Sequence, residues 1–129
     1  MPPALATEAP REARAVDPVT VRAYASADAP RWEAFVERCA EATFFHAIGW
    51  REIIEEEFRH RTHYLLAERR GEIEGVLPLA EVRSRLFGHS LVSLPFGVYG
   101  GPAAANPEAA RALIDHAAGV ADAIDADFL

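Results

Sequence analysis

Hydrophobic spacing along the chain switches between a period of two and a period near 3.6. Val19-Thr-Val-Arg-Ala-Tyr24 is rich in β-branched positions and predicts a first strand. Trp32, Phe35, Val36 and Cys39 then follow at the spacing of one buried helix face, with Asp28 as the cap and Pro30 in the first turn. Thr43-Phe-Phe45 reads as a short extended or turn segment, with Phe44 and Phe45 expected in the core. A second helix is predicted from about His46 to Glu57, with Trp50, Ile53 and Ile54 inward and Glu55, Glu56 and Glu57 on a solvated face.

His63 to Glu68 predicts a strand, and Arg69-Arg-Gly71-Glu a tight turn into a hairpin partner running from Ile73 to Val82. Pro78 inside that run implies a bulge or an edge position, because proline has no N–H for the ladder. Gly88 allows another turn before a strand from His89 to Leu94. Asn106-Pro107-Glu108 combines a cap, a proline at the first helical position and an acid near the helix dipole. Leu113, Ile114, Ala117, Val120 and Ile124 mark the buried face of the helix it starts, and Phe128-Leu129 reads as the beginning of one more strand. The order β-α-α-β-β-β-α-β predicts an α+β fold, a mixed β-sheet flanked by helices.

Composition narrows the function classes. A length of 129 residues suits one domain. Residues 1–18 carry four prolines and little bulk, which predicts a flexible leader before a domain spanning 19–129. There is no lysine; all 13 basic residues are arginine, and the net charge is −7. That balance argues against a DNA-binding surface, which needs clustered positive charge, but leaves room for a nucleotide-bearing substrate held by one or two arginines. Cys39 is alone, so no internal disulfide forms, in keeping with a reducing cytoplasm. The N-terminus lacks the pattern of a signal peptide, and the longest apolar stretch, Leu91 to Ala105, is broken by prolines and glycines and is not a membrane span.

Several segments offer chemistry. His60 and His63 stand three apart, but zinc needs three or four ligands and none is at helpful spacing, so they read as turn residues. Ser90, Ser93, His89 and Asp115 lack the nucleophile elbow of a triad enzyme. In Tyr99-Gly-Gly-Pro102 two glycines permit a ligand to approach the backbone, and the tyrosine can stack on a base or sugar or bond a phosphate. Opposite it, the expected topology places His46, Trp50 and Arg51 at the start of the second helix. Arg51 either grips a carboxylate or phosphate bidentately or is a solvated surface residue; Trp50 is either a contact or core.

Three stretches in order resemble the FemAB-type branch of the GNAT acyltransferases, in the form associated with PEP-CTERM/exosortase systems. They are Glu41-Ala-Thr-Phe-Phe-His-Ala-Ile-Gly-Trp-Arg51 with Phe58-Arg-His-Arg-Thr-His-Tyr-Leu-Leu-Ala-Glu68; Gly75-Val-Leu-Pro-Leu79 leading into Ser84-Arg-Leu-Phe-Gly-His-Ser-Leu91; and Ser93-Leu-Pro-Phe-Gly-Val-Tyr-Gly-Gly-Pro102. The resemblance implies a GNAT-like first domain, incomplete at its C-terminus, followed in a longer protein by a second GNAT-like domain. It implies acyl or aminoacyl transfer in cell-envelope, peptidoglycan or exopolysaccharide metabolism, with this part the substrate-holding half and catalytic residues largely elsewhere.

The acyl donor would be acyl-CoA or aminoacyl-tRNA, with no permanently bound cofactor and no metal, and the acceptor a small molecule or glycan precursor. His46, Trp50, Arg51, Tyr99, Gly100 and Gly101 are the substrate-binding positions expected from position and resemblance together; Glu52 and His46 are the only groups offered as a general base. Ordinary GNAT enzymes carry an Arg/Gln-x-x-Gly-x-Gly/Ala loop for the CoA pyrophosphate. Here Val98 stands at its first position and Pro102 removes one N–H donor. That departure keeps a second expectation open, a non-catalytic GNAT-like module that recognises an envelope glycan precursor or a partner domain.

Overall fold

A two-residue turn at Arg70-Gly71 sets up the longest feature of the molecule. Both residues have positive φ, 54° and 80°, the left-handed pair that matches the twist of a tight hairpin. The computed structural model describes residues 17–84, 88–93 and 101–126. On either side of the turn, β2 (Leu65–Arg69) pairs antiparallel with β3 (Glu72–Leu77), with a bulge at Ala67/Glu68. Pro78 cannot donate to the ladder and ends β3. The chain nevertheless continues in line as β4 (Leu79–Ser84), and its partner continues too: Thr62 faces Ala80, and the His63 and Glu81 N–H groups donate to the Leu79 and Arg61 carbonyls, each at 2.8 Å.

Shorter strands flank this ribbon. β1 (Thr20–Ala23) lies against β2, β5 (Gly88–Ser93) against β4, and β6 (Ala103–Ala104) against β3. Every pairing among the described residues is antiparallel, so the mixed sheet expected from a helical crossover is not seen there, each strand pairing instead as in a hairpin or across a returning loop. The result is a four-stranded sheet in the order β1-β2-β3-β6 and a two-stranded sheet of β4 and β5. Among the described residues three α-helices complete an α+β architecture: α1 (Ala29–Arg38), α2 (Gly49–Glu56) and α3 (Pro107–Ala123). The expected order thus gains two strands, since Pro78 splits one run and β6 was not foreseen. The predicted Phe128-Leu129 strand and most of the 1–18 leader lie outside the described residues.

Strand alternation sorts the core by face. Leu65, Ala67 and Leu77 join Leu79 and Leu91 under Ala109, Leu113 and Ala117 of α3. Tyr64, Leu66 and Val76 point the other way, onto Trp32 and Phe35 of α1. Trp32 stacks on Tyr64 with ring centroids 5.3 Å apart and meets Tyr24 edge-on at 5.5 Å, a preferred geometry for aromatic pairs. The Tyr64 hydroxyl is buried without a hydrogen-bond partner among the described residues, and burial pushes its phenol above the ordinary range.

Helix starts follow the sequence with two exceptions, one being α2, which begins at Gly49 and not near His46, because Phe44–His46 forms a separate 3-10 turn. Asn106 caps α3, its Oδ1 accepting from the Ala109 N–H at 2.8 Å. Asp28 holds the cap position of α1, yet its carboxylate is taken elsewhere: Arg22 donates to both oxygens, at 2.8 and 2.7 Å, and the Ala25 N–H donates at 2.9 Å. Charge-assisted bonds outcompete an ordinary cap. Arg22 also donates to Glu68 at 2.8 Å, and Arg31 donates to Glu68 at 2.9 Å, so two guanidiniums and two carboxylates tie β1, α1 and β2 together.

Three apolar side chains expected inside are not. Ile53 is 39% exposed because the eight-residue α2 turns only Ile54 into the core. Ile114 is 49% exposed, and Phe44 is 74% exposed, standing edge-on to Trp50 with centroids 5.7 Å apart.

The Arg22 hydrogen bonds hold the Asp28 carboxyl down at about 2, against an ordinary value near 3.8. A depressed carboxyl contributes stability above its unfolded pKa and loses it as pH falls through the folded one. Denaturation free energies measured between pH 5 and pH 2 (roughly the window of that shift) should decline, by on the order of 2 kcal/mol from this group. In Asp28→Asn that share of the decline should vanish and stability at neutral pH should be lower.

Candidate functional site

A short 3-10 turn, Phe44–His46, precedes α2 and carries the most constrained polar side chain of the region. His46 is 2% exposed. Its Nδ1 accepts from the Thr43 N–H at 3.0 Å, so the neutral ring carries its proton on Nε2, which donates to the Gly101 carbonyl at 2.9 Å. The His46 carbonyl accepts from the Trp32 indole N–H at 2.8 Å. One residue therefore ties the turn to α1 and to the loop before β6.

Gly101 is held from its other side as well. Its N–H donates to the Ser93 hydroxyl at 2.7 Å, and its φ of 96° lies in the region that favours glycine. Gly101 and Pro102 form part of the wall of an apolar cavity of about 420 Å³, bounded also by Leu77, Leu79, Leu91 and the half-exposed Ile114. The cavity lies between α3 and the strands, on the same face as the larger core.

Arg51, in the first turn of α2, lies over the ring of Tyr24 at 5.1 Å and is 3.5 Å from the Glu55 carboxylate. Tyr24 meets Trp32, and Trp32 bonds His46. A chain of contacts thus runs from Arg51 through Tyr24, Trp32 and His46 to Gly101. Trp50 is half-buried and packs on Phe44, to one side of that chain. Glu52 is exposed. Tyr99 and Gly100 lie outside the described residues. His46 is not suited to be a general base: both ring nitrogens are bonded and the ring is buried.

A second polar cluster was not foreseen. Glu81, buried in β4, accepts from His63 Nε2 at 2.5 Å and from His89 Nε2 at 3.0 Å. The strand register puts all three on one face of the sheet, the face that α3 covers further along. Burial pushes the Glu81 carboxyl up, but the hydrogen bonds from His63 and then His89 pull it down further, and the net displacement is below the ordinary value. The signal available in the sequence was Glu81 itself, a carboxylate inside the apolar run Leu77-Pro-Leu-Ala80 and Val82. Its partners lie 18 and 8 residues away, His63 just before β2 and His89 in β5, which spacing alone does not reveal. Among the described residues no group of three potential ligands is arranged to hold a metal ion. No helix among them is long and apolar enough to cross a membrane.

No family model matches the chain, and neither a curated protein nor a solved structure does.

Removing the His46 ring orphans the Thr43 N–H and the Gly101 carbonyl and leaves a cavity. In chemical denaturation His46→Ala should lose about 2–4 kcal/mol, whereas Arg51→Ala, which breaks one partly exposed pair, should lose about 1 kcal/mol or less. Equal losses would remove His46 from its place as the tie between these segments.

Proposed function

We propose that this chain is the substrate-holding half of an acyl- or aminoacyltransferase of the FemAB/GNAT type, acting in cell-envelope, peptidoglycan or exopolysaccharide metabolism on the cytoplasmic side. The observation that carries the reading is the 2.9 Å bond from His46 to Gly101. It joins two of the three stretches in which the resemblance resides, 55 residues apart in sequence, into one place. The coarse architecture, an antiparallel ribbon with helices on opposite faces, is what the reading builds on.

In this reading Arg51 binds a carboxylate or phosphate of the glycan-precursor or small-molecule acceptor, its position steadied by the Tyr24 ring beneath it. Trp50 and the exposed Phe44 offer an aromatic edge beside it. The acceptor amine attacks the activated carbonyl of an acyl-CoA or aminoacyl-tRNA. A C–N bond forms, the bond to the thiol or ribose oxygen breaks, and the amine proton leaves to a base. The work of such an enzyme is mostly alignment and stabilisation of the oxyanion. The proton acceptor and the donor site belong to the second GNAT-like domain that the resemblance implies.

One observation favours a second reading, a non-catalytic module that binds an envelope glycan precursor or a partner domain. The imidazole that links the two stretches, His46, spends both nitrogens on structure.

Titration of the chain with a soluble peptidoglycan precursor separates binding from chemistry. Saturable binding is expected, weakened about tenfold or more in Arg51→Ala, with little change in melting temperature. In a protein that joins this chain to the second domain the resemblance implies, an amide-linked product seen by mass spectrometry on adding acyl-CoA or aminoacyl-tRNA would favour the transferase, and binding without product there would favour the module. Absence of binding by this chain would overturn both.

A further inference from the structure

We propose that the cleft beyond the end of α2, bordered by Arg59, Arg61 and Arg83, binds a phosphate-class oxyanion, either inorganic or carried on a larger metabolite. The inference is independent of the transferase reading. It starts from the distribution of charge. Arg22, Arg31, Arg69 and Arg70 each have a carboxylate partner between 2.6 and 3.3 Å away. Arg59 and Arg61 have none among the described residues, in a chain whose 20 acidic residues outnumber its basic ones. Arg83 is 3.8 Å from the Glu81 carboxylate, beyond hydrogen-bond range, and is largely exposed. Arg59 and Arg61, without carboxylate partners among the described residues, and Arg83, held only by a long ion pair to Glu81, border one cleft; like charges there repel one another, and a bound anion removes that cost.

The nearby carboxylate does not supply the missing partner. Both oxygens of Glu81 are occupied, one by His63 and one by His89, so it lies buried in the cleft rather than closing onto the arginines. The register explains why the arginines meet. Arg61 stands opposite Glu81 and Arg83 opposite His89, which places Arg61, Glu81, Arg83 and His89 on one face of the ribbon. On this face, further along the ribbon, sit the leucines under α3.

The surface here is concave. A cavity of about 340 Å³ is lined by Arg59, Arg61 and Arg83 with Phe58, His60 and Glu81. A neighbouring one of about 410 Å³ shares Arg59 and Arg61 with it. Planar guanidinium forks arriving from separate positions suit the several oxygens of a phosphate better than a single carboxylate. A metal is the poorer fit, because both histidines spend Nε2 on Glu81 and no ligand group is arranged for one among the described residues.

Backbone strain points to the same place. Arg59 has a φ of 59°, the left-handed conformation in which a side chain is disfavoured and glycine relaxed. An arginine that breaks this local rule, beside Arg61, which has no carboxylate partner among the described residues, is the kind of departure that accompanies a binding site.

The strain supplies a variant that separates binding from folding. Calorimetric titration with inorganic pyrophosphate should show saturable binding that weakens with salt. Arg61→Ala should weaken it about tenfold or more. Arg59→Gly should weaken it comparably while leaving the melting temperature equal or higher, since glycine relieves the left-handed backbone. Arg111→Ala, an exposed arginine on α3, should leave binding unchanged. Tighter binding of ADP than of pyrophosphate would identify the phosphate of a larger metabolite as the ligand; equal affinity would identify the free oxyanion. No saturable binding, or equal losses in all three variants, would overturn the assignment.

Discussion

The imidazole of His46 is the joint on which the described structure turns. A buried ring with one acceptor and one donor nitrogen fits only where a donor and an acceptor face it from opposite sides. The Thr43 N–H and the Gly101 carbonyl meet that requirement. The same residue's carbonyl receives the Trp32 indole, whose ring stacks on Tyr64 in the sheet. Helix α1, the turn before α2, the sheet and the loop before β6 are therefore located relative to one another through one residue and its neighbour. An unpaired buried polar group costs about 1–3 kcal/mol, so this arrangement is hard to relax piecemeal.

Charge is distributed with equal economy. Where α1 meets β1 and β2, arginines and carboxylates alternate and neutralise one another around Asp28 and Glu68. At the opposite end of the ribbon the pairing thins: imidazoles take the carboxylate, Arg83 reaches it only at 3.8 Å, and Arg59 and Arg61 have none among the described residues. The apolar cavity edged by Gly101 lies on the α3 face of the ribbon. One face of the ribbon thus passes from leucine core to cavity to polar cleft, and the change follows from the residues that alternation presents at 77, 79, 81 and 83.

Local signals made much of the fold legible. Asn106-Pro107 begins α3, Arg70-Gly71 closes the hairpin, and Trp32 and Phe35 mark the inward side of α1. Each of these depends on residues within one or two turns of chain. What stayed hidden depends on distant partners. β6 is two alanines, a residue poor in strands, and exists because Gly75 and Val76 offer it an edge. Pro78 marks neither an outer edge nor the bulge, which falls at Ala67/Glu68, because the ribbon resumes in register beyond the missing N–H. Ile53 and Ile114 satisfy a helical period, but the period does not say how wide the covered stripe is.

The candidate site shows the same division. His46 and Gly101, singled out from separate stretches, do meet, and Arg51 joins them through two aromatic rings. The role first offered to His46, taking a proton, is closed by bonds that only the folded chain reveals. The grouping of His63 and His89 on Glu81 required a sheet register, since pairwise spacing treats the three as unrelated.

The most direct test of the joint is the protonation pattern of one ring. Long-range proton–nitrogen NMR correlation distinguishes the two neutral tautomers of a histidine, and contacts from the ring protons locate its neighbours. At neutral pH, His46 should show a protonated Nε2, a bare Nδ1 and cross-peaks to Gly101. A proton on Nδ1, or a ring with no contact to Gly101, would mean that the two stretches are not held together as described, and the site built on their meeting would fall with it.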